Sequence, residues 1–388
     1  MGKKATNPRK GLLARAKRVV VKVGSAVLTT QNGVNRETII RLAGQLSRLH
    51  DKGMGVVLVS SGAVTAGRTR ITETLGADVA RGISDLPARQ AASAIGQGRL
   101  MHDYDEAFGW FGKATAQILL TRDGLRERER FLNARNTLEQ LLDWGVIPII
   151  NENDTVSVKE LQFGDNDTLA AMAVGLIGAD LFINLTSANG VFDKNPDEHP
   201  DAACLPLIDN IASIDIDAMC DGKTAVGSGG MYSKMRAARR AAQLGVPTLI
   251  VSGKGEFSIE QAFEDETRGT FVLPEERTVS SKKFWLAYHD DPSGSVLVDA
   301  GAAKALSSKG KSLLPAGISS VEGCFDRGAL VRIKALDGTT LGVGLSNYAS
   351  TELESIRGKR TPEIEKILGP VIFEEAIHRD NLLIDAAM

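Results

Sequence analysis

The chain has 388 residues, enough for two domains, with a formal net charge of only −2. So even a balance excludes a global field that would draw the molecule to nucleic acid or to an anionic membrane, and either partner would need a local basic patch. No apolar run approaches the roughly 20 residues that span a bilayer. The three cysteines, Cys204, Cys220 and Cys324, lack metal-ligand spacing and read as reduced thiols of a cytoplasmic protein.

In chain order, the first eighteen residues hold seven Lys or Arg, no acid and no apolar segment of a secretory signal, so residues 1–17 are expected to be a flexible basic tail. From Val19 to about Val251, short Val/Ile/Leu runs alternate with longer helical stretches, the pattern of a mostly parallel sheet covered by helices. Strands are predicted over Val19–Val23, Val56–Val59, Gln117–Leu120, Val146–Ile150, Leu181–Leu185 and Thr248–Val251. The first carries Lys22 in its middle and runs into Gly24-Ser25-Ala26. A lysine in a buried strand either snorkels to solvent or meets an anion. A helix is predicted over Arg130–Trp144, where Phe131, Ala134, Leu138, Leu141 and Leu142 recur at helical spacing, with Gly145 as its stop.

Just past the fourth strand stand two polar blocks, Asn151-Glu152-Asn153-Asp154 and Gly164-Asp165-Asn166-Asp167. Either block alone reads as a turn. Two of them beside one buried strand place carboxylates and amides at the mouth of an α/β sheet, where ligands of this architecture bind. The stretch Gly190–Gly230, rich in Asp, Asn, Pro and Ala, is expected to form a lobe of its own. It leads into Gly227-Ser228-Gly229-Gly230-Met231-Tyr232-Ser233-Lys234, a glycine-rich turn that opens a helix reaching Leu244. Such a turn lets backbone N–H groups approach phosphate oxygens, although the spacing is not that of a Walker P-loop. A charged linker is placed at 264–282, leaving residues 18–263 as the first domain and 283–388 as a small β-rich domain. In the latter, strands are predicted over Ser295–Val298, Ser319–Gly323, Ala329–Ile333 and Leu341–Leu345, with a short helix over Ala302–Leu306.

Several separated blocks together carry a family resemblance: Val21-Lys22-Val23-Gly24-Ser25, Ser60-Ser61-Gly62-Ala63, Arg128 to Arg135, both polar blocks, Gly229-Gly230-Met231, Ser312 to Ile318 and His378-Arg379-Asp380. In that order they resemble the bacterial glutamate 5-kinases, a branch of the amino-acid kinase superfamily with a C-terminal PUA domain. The resemblance implies the amino-acid kinase fold followed by PUA, and transfer of the γ-phosphoryl group of ATP, with Mg²⁺, to the side-chain carboxylate of L-glutamate, the first step of proline biosynthesis. It implies Lys22 and Lys234 flanking the phosphoryl group, Asp167 holding the two lysines, and N–H groups near Gly24 and Gly62 covering developing charge. Ser61, Asp154 and Asn166 match the substrate-binding positions; Thr186, Ser187 and Ser228, Gly229, Gly230, Met231, Tyr232, Ser233 and Lys234 match the ATP site. The metal ligands stay unassigned. The family further implies a homo-oligomer, feedback inhibition by L-proline with the loop Val156–Gly164 as its switch, and functional coupling to glutamate-5-semialdehyde dehydrogenase.

The chain departs from the family pattern twice. Ser187 stands where an aspartate is usual, and Ala26 where a hydroxyl is usual. Two other readings compete. Another amino-acid kinase would share the phosphate machinery, but an N-acetylglutamate kinase would show paired glycines where this chain has Gly24-Ser25, and an aspartokinase would carry ACT-type modules. An RNA-binding protein acting through the PUA domain would need a basic surface. Residues 283–388 hold 12 basic against 14 acidic residues, which argues against RNA as a partner.

Overall fold

The structure, a computed structural model, describes residues 8–30, 33–157, 166–196, 198–220, 230–255, 259–275, 292–309, 311–359, 361–369 and 373–384. The chain divides into two compact units, 1–278 and 279–388.

The first unit is built on strands β1 (Arg18–Val23), the short hairpin β2 (Thr29–Thr30) and β3 (Gly33–Val34), β4 (Gly55–Ser60), β5 (Thr115–Leu120), β6 (Ile147–Glu152), β7 (Leu181–Thr186), β8 (Leu207–Ile208), β9 (Thr248–Ser252) and β10 (Thr270–Val272). All but the hairpin form one sheet in the order β5-β6-β4-β1-β7-β9-β10-β8. Every pairing is parallel except β9 with β10, as the alternation of apolar runs and helices predicts. Each predicted strand is present with its ends moved by one or two residues, and the predicted helix is found as Arg128–Asp143.

Helices cover both faces, so β1, β6 and β7 are buried almost throughout. On β1, Val19, Val21 and Val23 join a core with Ile39, Leu46, Leu100 and Phe108. Lys22 projects from the opposite face, toward the Asn166–Ile177 helix, where Asp167 meets it. The alternation of a strand thus hands one charged side chain to the face that holds an acid.

Two boundary expectations are corrected. Residues 8–15 of the supposed flexible tail are a helix (Pro8–Arg15), with Leu13 and Arg9 buried. The Arg9 guanidinium donates to the Ala262 carbonyl and, at 2.9 Å each, to those of Glu266 and Arg268, and it lies 5.6 Å from the Phe271 ring centroid. Its charge serves a packed carbonyl cluster rather than solvent. Part of the expected linker is a strand: β10 lies within 264–282, and Phe271 and Val272 are fully buried beside β9. Three residues amid charged neighbours are too short to show a period. Residues 1–7 and 276–282 lie outside the described residues.

The second unit carries strands β11 (Gly294–Val298), β12 (Ile318–Gly323), β13 (Leu330–Ala335), β14 (Thr340–Leu345) and β15 (Leu382–Ile384), in the order β12-β11-β13-β14-β15. Val296, Val298, Val331, Ile333, Leu353 and Ile377 form its separate core. This is the small β-rich domain the sequence leads one to expect, and the predicted short helix is Ala300–Lys309.

Candidate active site

The site gathers at the carboxyl ends of β1, β4 and β7, around one carboxylate. Asp167 lies in the first turn of the Asn166–Ile177 helix, a favourable place for an anion, and is fully buried. Its Oδ1 is 2.7 Å from Lys22 Nζ and accepts from Asn184 Nδ2 at 2.9 Å. Its Oδ2 is 3.2 Å from Lys234 Nζ and accepts from the Ser233 hydroxyl at 2.6 Å. Lys22 and Lys234 are themselves almost completely buried. Burial pushes the Asp167 carboxyl up, but the two ammonium groups and their hydrogen bonds outweigh it and hold the group well below the usual carboxylate range. Asp167 is therefore an anion at neutral pH, and two lysines with one carboxylate leave a net positive charge beside the sheet edge.

Two glycines start helices just past the ends of β1 and β4. Gly62 has φ 109°, a conformation that favours glycine, and caps the Ala63–Leu75 helix without a side-chain hydrogen bond. Gly24 caps the short Ser25–Leu28 helix in the same way. A Cβ on Gly24 would come within 3.4 Å of Lys22 Nζ, so this backbone lies directly against the ammonium. N–H groups at such uncapped starts can meet an anion.

Next to the lysines runs a network of polar groups. Asn166 Nδ2 donates to the Ser60 carbonyl, the Ser61 hydroxyl and Asn151 Oδ1 at 2.8, 2.9 and 2.9 Å. Asn151 Nδ2 continues to Gln97 Oε1 at 2.8 Å, and one turn away on the same Leu86–Gly109 helix the Ser93 hydroxyl donates to Asp154 Oδ2. That helix can reach the sheet edge because Gly67 and Gly96 let it touch the Ala63–Leu75 helix backbone to backbone. A Cβ on Gly96 would lie 1.9 Å from the Ala63 carbonyl oxygen, and one on Gly67 would lie 1.7 Å from that of Ala92.

On the other side, Thr186 and Ser187 at the end of β7 and Gly230, Met231 and Tyr232 at the start of the Met231–Gln243 helix line one cavity of about 320 Å³. Ser187 is exposed at its mouth. Ser228 and Gly229 lie outside the described residues, as do Asp165 and residues 158–164 of the supposed switch loop.

The structure thus joins Lys22, Asp167, Ser233 and Lys234 by direct bonds, joins Ser61 to Asn166, and ties Asp154 and Asn151 to one helix through Ser93 and Gln97. Sequence reasoning passed over Asn184, Gln97 and Ser93. Asn184 did leave a signal, being a lone amide in the apolar run Leu181-Phe182-Ile183-Asn184-Leu185. Gln97 and Ser93 left none, because polar residues on a helix are ordinary.

A parallel sheet with an acid-organised pair of lysines at its carboxyl edge is the arrangement of an enzyme that handles anionic groups. The chain belongs to the amino acid kinase family, whose family model matches residues 17–252, and a PUA domain is matched at residues 294–368. Within that family its relatives are glutamate 5-kinases. That of Maridesulfovibrio salexigens is 63% identical over 97% of this chain and 98% of its own length. Those of Nitratidesulfovibrio vulgaris strain DP4 and Geobacter sulfurreducens are 56% and 48% identical, over 99% and 97% of this chain and 99% and 100% of theirs.

Proposed function

We propose that this chain transfers the γ-phosphoryl group of ATP to the side-chain carboxylate of L-glutamate, the first step of proline biosynthesis. The observation that carries the reading is the buried Lys22–Asp167–Lys234 arrangement. A glutamate side chain, with pKa about 4.3, is already an ionised nucleophile at neutral pH, so no base is needed. The obstacle is repulsion between two anions, and positioned positive charge removes it. Lys22 and Lys234 approach the transferring group from opposite oxygens of Asp167, which orients both and takes no proton. N–H groups at Gly24 and Gly62 cover the remaining oxygens.

The amino acid lies over Ser61, Asn166 and Asp154. The Ser61 hydroxyl accepts from Asn166, which leaves its hydrogen for a substrate carboxylate. With its Nδ2 shared among three acceptors, Asn166 offers Oδ1 to the α-ammonium group, together with the Asp154 carboxylate. The nucleotide occupies the cavity between Thr186, Ser187 and Gly230 to Tyr232, with its phosphates toward Lys234. Among the described residues no three His, Cys, Asp or Glu side chains converge as a metal-binding set. A magnesium ion here would be held chiefly by the nucleotide's own phosphates, where it neutralises charge between them.

Proline, a smaller relative of the substrate, would compete for the Ser61–Asp154 subsite, and saturating proline should lower the initial rate. A homo-oligomer, a cytoplasmic location and coupling to the dehydrogenase that consumes the labile product complete the reading. No helix among the described residues is long and apolar enough to cross a membrane. The decisive test is an ATP- and Mg²⁺-dependent assay with hydroxylamine, which traps the acyl phosphate as γ-glutamyl hydroxamate. Product with L-glutamate and none with aspartate or N-acetylglutamate is the expected result; absence of product with glutamate would refute the function.

A further inference from the structure

Asn184 donates a hydrogen bond to Asp167 and takes no part in the phosphoryl transfer described above. It is fully buried in β7 and stands in register with Lys22 on the adjacent parallel strand β1, so the two side chains project from the same level of the same face. Both reach the same atom, Asp167 Oδ1, at 2.9 and 2.7 Å. The amide orientation is fixed by chemistry, since turning it over would set an oxygen against the carboxylate. Its own Oδ1 has no hydrogen-bond partner among the described residues. A buried amide that is only half satisfied is poor packing material, and an aliphatic side chain of similar size would cost less there. Its contribution must lie in the bond it makes.

The bonds around Asp167 form a pattern. Each carboxylate oxygen is shared by one lysine and one neutral donor: Oδ1 by Lys22 and Asn184, Oδ2 by Lys234 and Ser233. We infer that Asn184 is a positioning residue that keeps Asp167 Oδ1 hydrogen-bonded when Lys22 turns to the transferring phosphoryl group. Without the amide, any movement of Lys22 toward the phosphoryl oxygens weakens the pairing of a fully buried anionic oxygen, a costly change. With it, the lysine's charge can be lent to the reaction while the carboxylate stays satisfied and stationary. This inference rests on the kinase reading and deepens it.

The test compares the parent with Asn184→Leu and Asn184→Asp in the hydroxamate assay. The leucine variant keeps the volume and removes the donor; its kcat should fall about ten- to a hundredfold, the scale of one hydrogen bond to a charged group, while the KM for glutamate changes less than about threefold. The aspartate variant supplies a donor only when protonated. The charged groups facing position 184 are Asp167 from the Asn166–Ile177 helix, Lys22 from β1 and, through the other oxygen of Asp167, Lys234; its partner on β9 is Ile250. Burial and the Asp167 charge raise the new carboxyl group, and Lys22, already engaged, opposes them only in part. The kcat of Asn184→Asp relative to the parent should therefore rise as pH falls from about 8 to about 6.

A leucine variant with parental kcat would overturn the inference. So would an aspartate variant whose pH profile parallels the parent's, and that comparison decides the matter if the leucine variant does not fold. A parent that forms no hydroxamate would instead overturn the kinase reading, and this inference with it.

Discussion

Asp167 is a carboxylate whose chemistry has been traded for geometry. Both oxygens are committed to donors, so replacing Asp167 by Asn leaves two buried ammonium groups facing each other without an anion. Asp167→Asn should lower kcat by at least a hundredfold, measured in the hydroxamate assay, with the chain still folded. Its folded pKa lies below the ordinary value of 3.8, and the sign of the pH effect follows. The ionised group stabilises the fold fully above that value, and this contribution is lost as pH falls toward the depressed folded pKa. The gap in unfolding free energy between parent and Asp167→Asn, read by urea titration, should be constant above about pH 5 and narrow as pH falls below 3.8. Lys22→Ala or Lys234→Ala should each cost orders of magnitude in kcat, whereas Asp154→Ala should mainly raise the KM for glutamate.

At the scale of elements, the Leu86–Gly109 helix and the Ala63–Leu75 helix are held in contact by two glycines with no room for a methyl group. Gly96 lies between Ser93 and Gln97, so forcing the helices apart moves both of these polar groups away from Asp154 and Asn151. Gly96→Ala should destabilise the chain by about 1–3 kcal/mol or more and raise the KM for glutamate well above any change in that for ATP, as steady-state kinetics and thermal unfolding would show. This contact also marks where sequence reading stops. The six central strands were legible because burial on both faces writes them as apolar runs, and Lys22 stood out because a charge in such a run demands a partner. The polar blocks announced the sheet mouth because two of them stand beside one buried strand. A close helix crossing leaves only scattered glycines, and β10 is three residues long with only Phe271 and Val272 apolar, so neither has a period to read. The Pro8–Arg15 helix was hidden by its own cations, because nothing local tells a solvated arginine from one that caps carbonyls 250 residues away.

For the molecule as a whole, the two units divide between 278 and 279, and each has its own core. The second unit has the fold matched by PUA domains but a slightly acidic balance, 12 basic against 14 acidic residues from 283 to 388. Filter binding to mixed RNA at low salt should show no salt-sensitive micromolar affinity; such affinity would restore the nucleic-acid reading. In the first unit, Arg9→Ala should lower the unfolding free energy by at least about 2 kcal/mol, since it removes a fully buried side chain and the donor to the buried Ala262 carbonyl, and Arg9→Lys should recover little of it because an ammonium cannot match the planar fork.

The Arg9 bonds also bear on the order in which the protein is made. The guanidinium and the Glu266 carbonyl are 257 positions apart in the chain. At ribosomal speeds of about 5–20 residues per second, the N-terminal helix waits roughly 13–50 s for its acceptors to be synthesised. Until then it is an exposed cationic segment, and the sheet's last interior strand is absent as well. The Pro8–Arg15 helix is thus among the last elements of its unit to dock, although it is made long before the carbonyls that hold it.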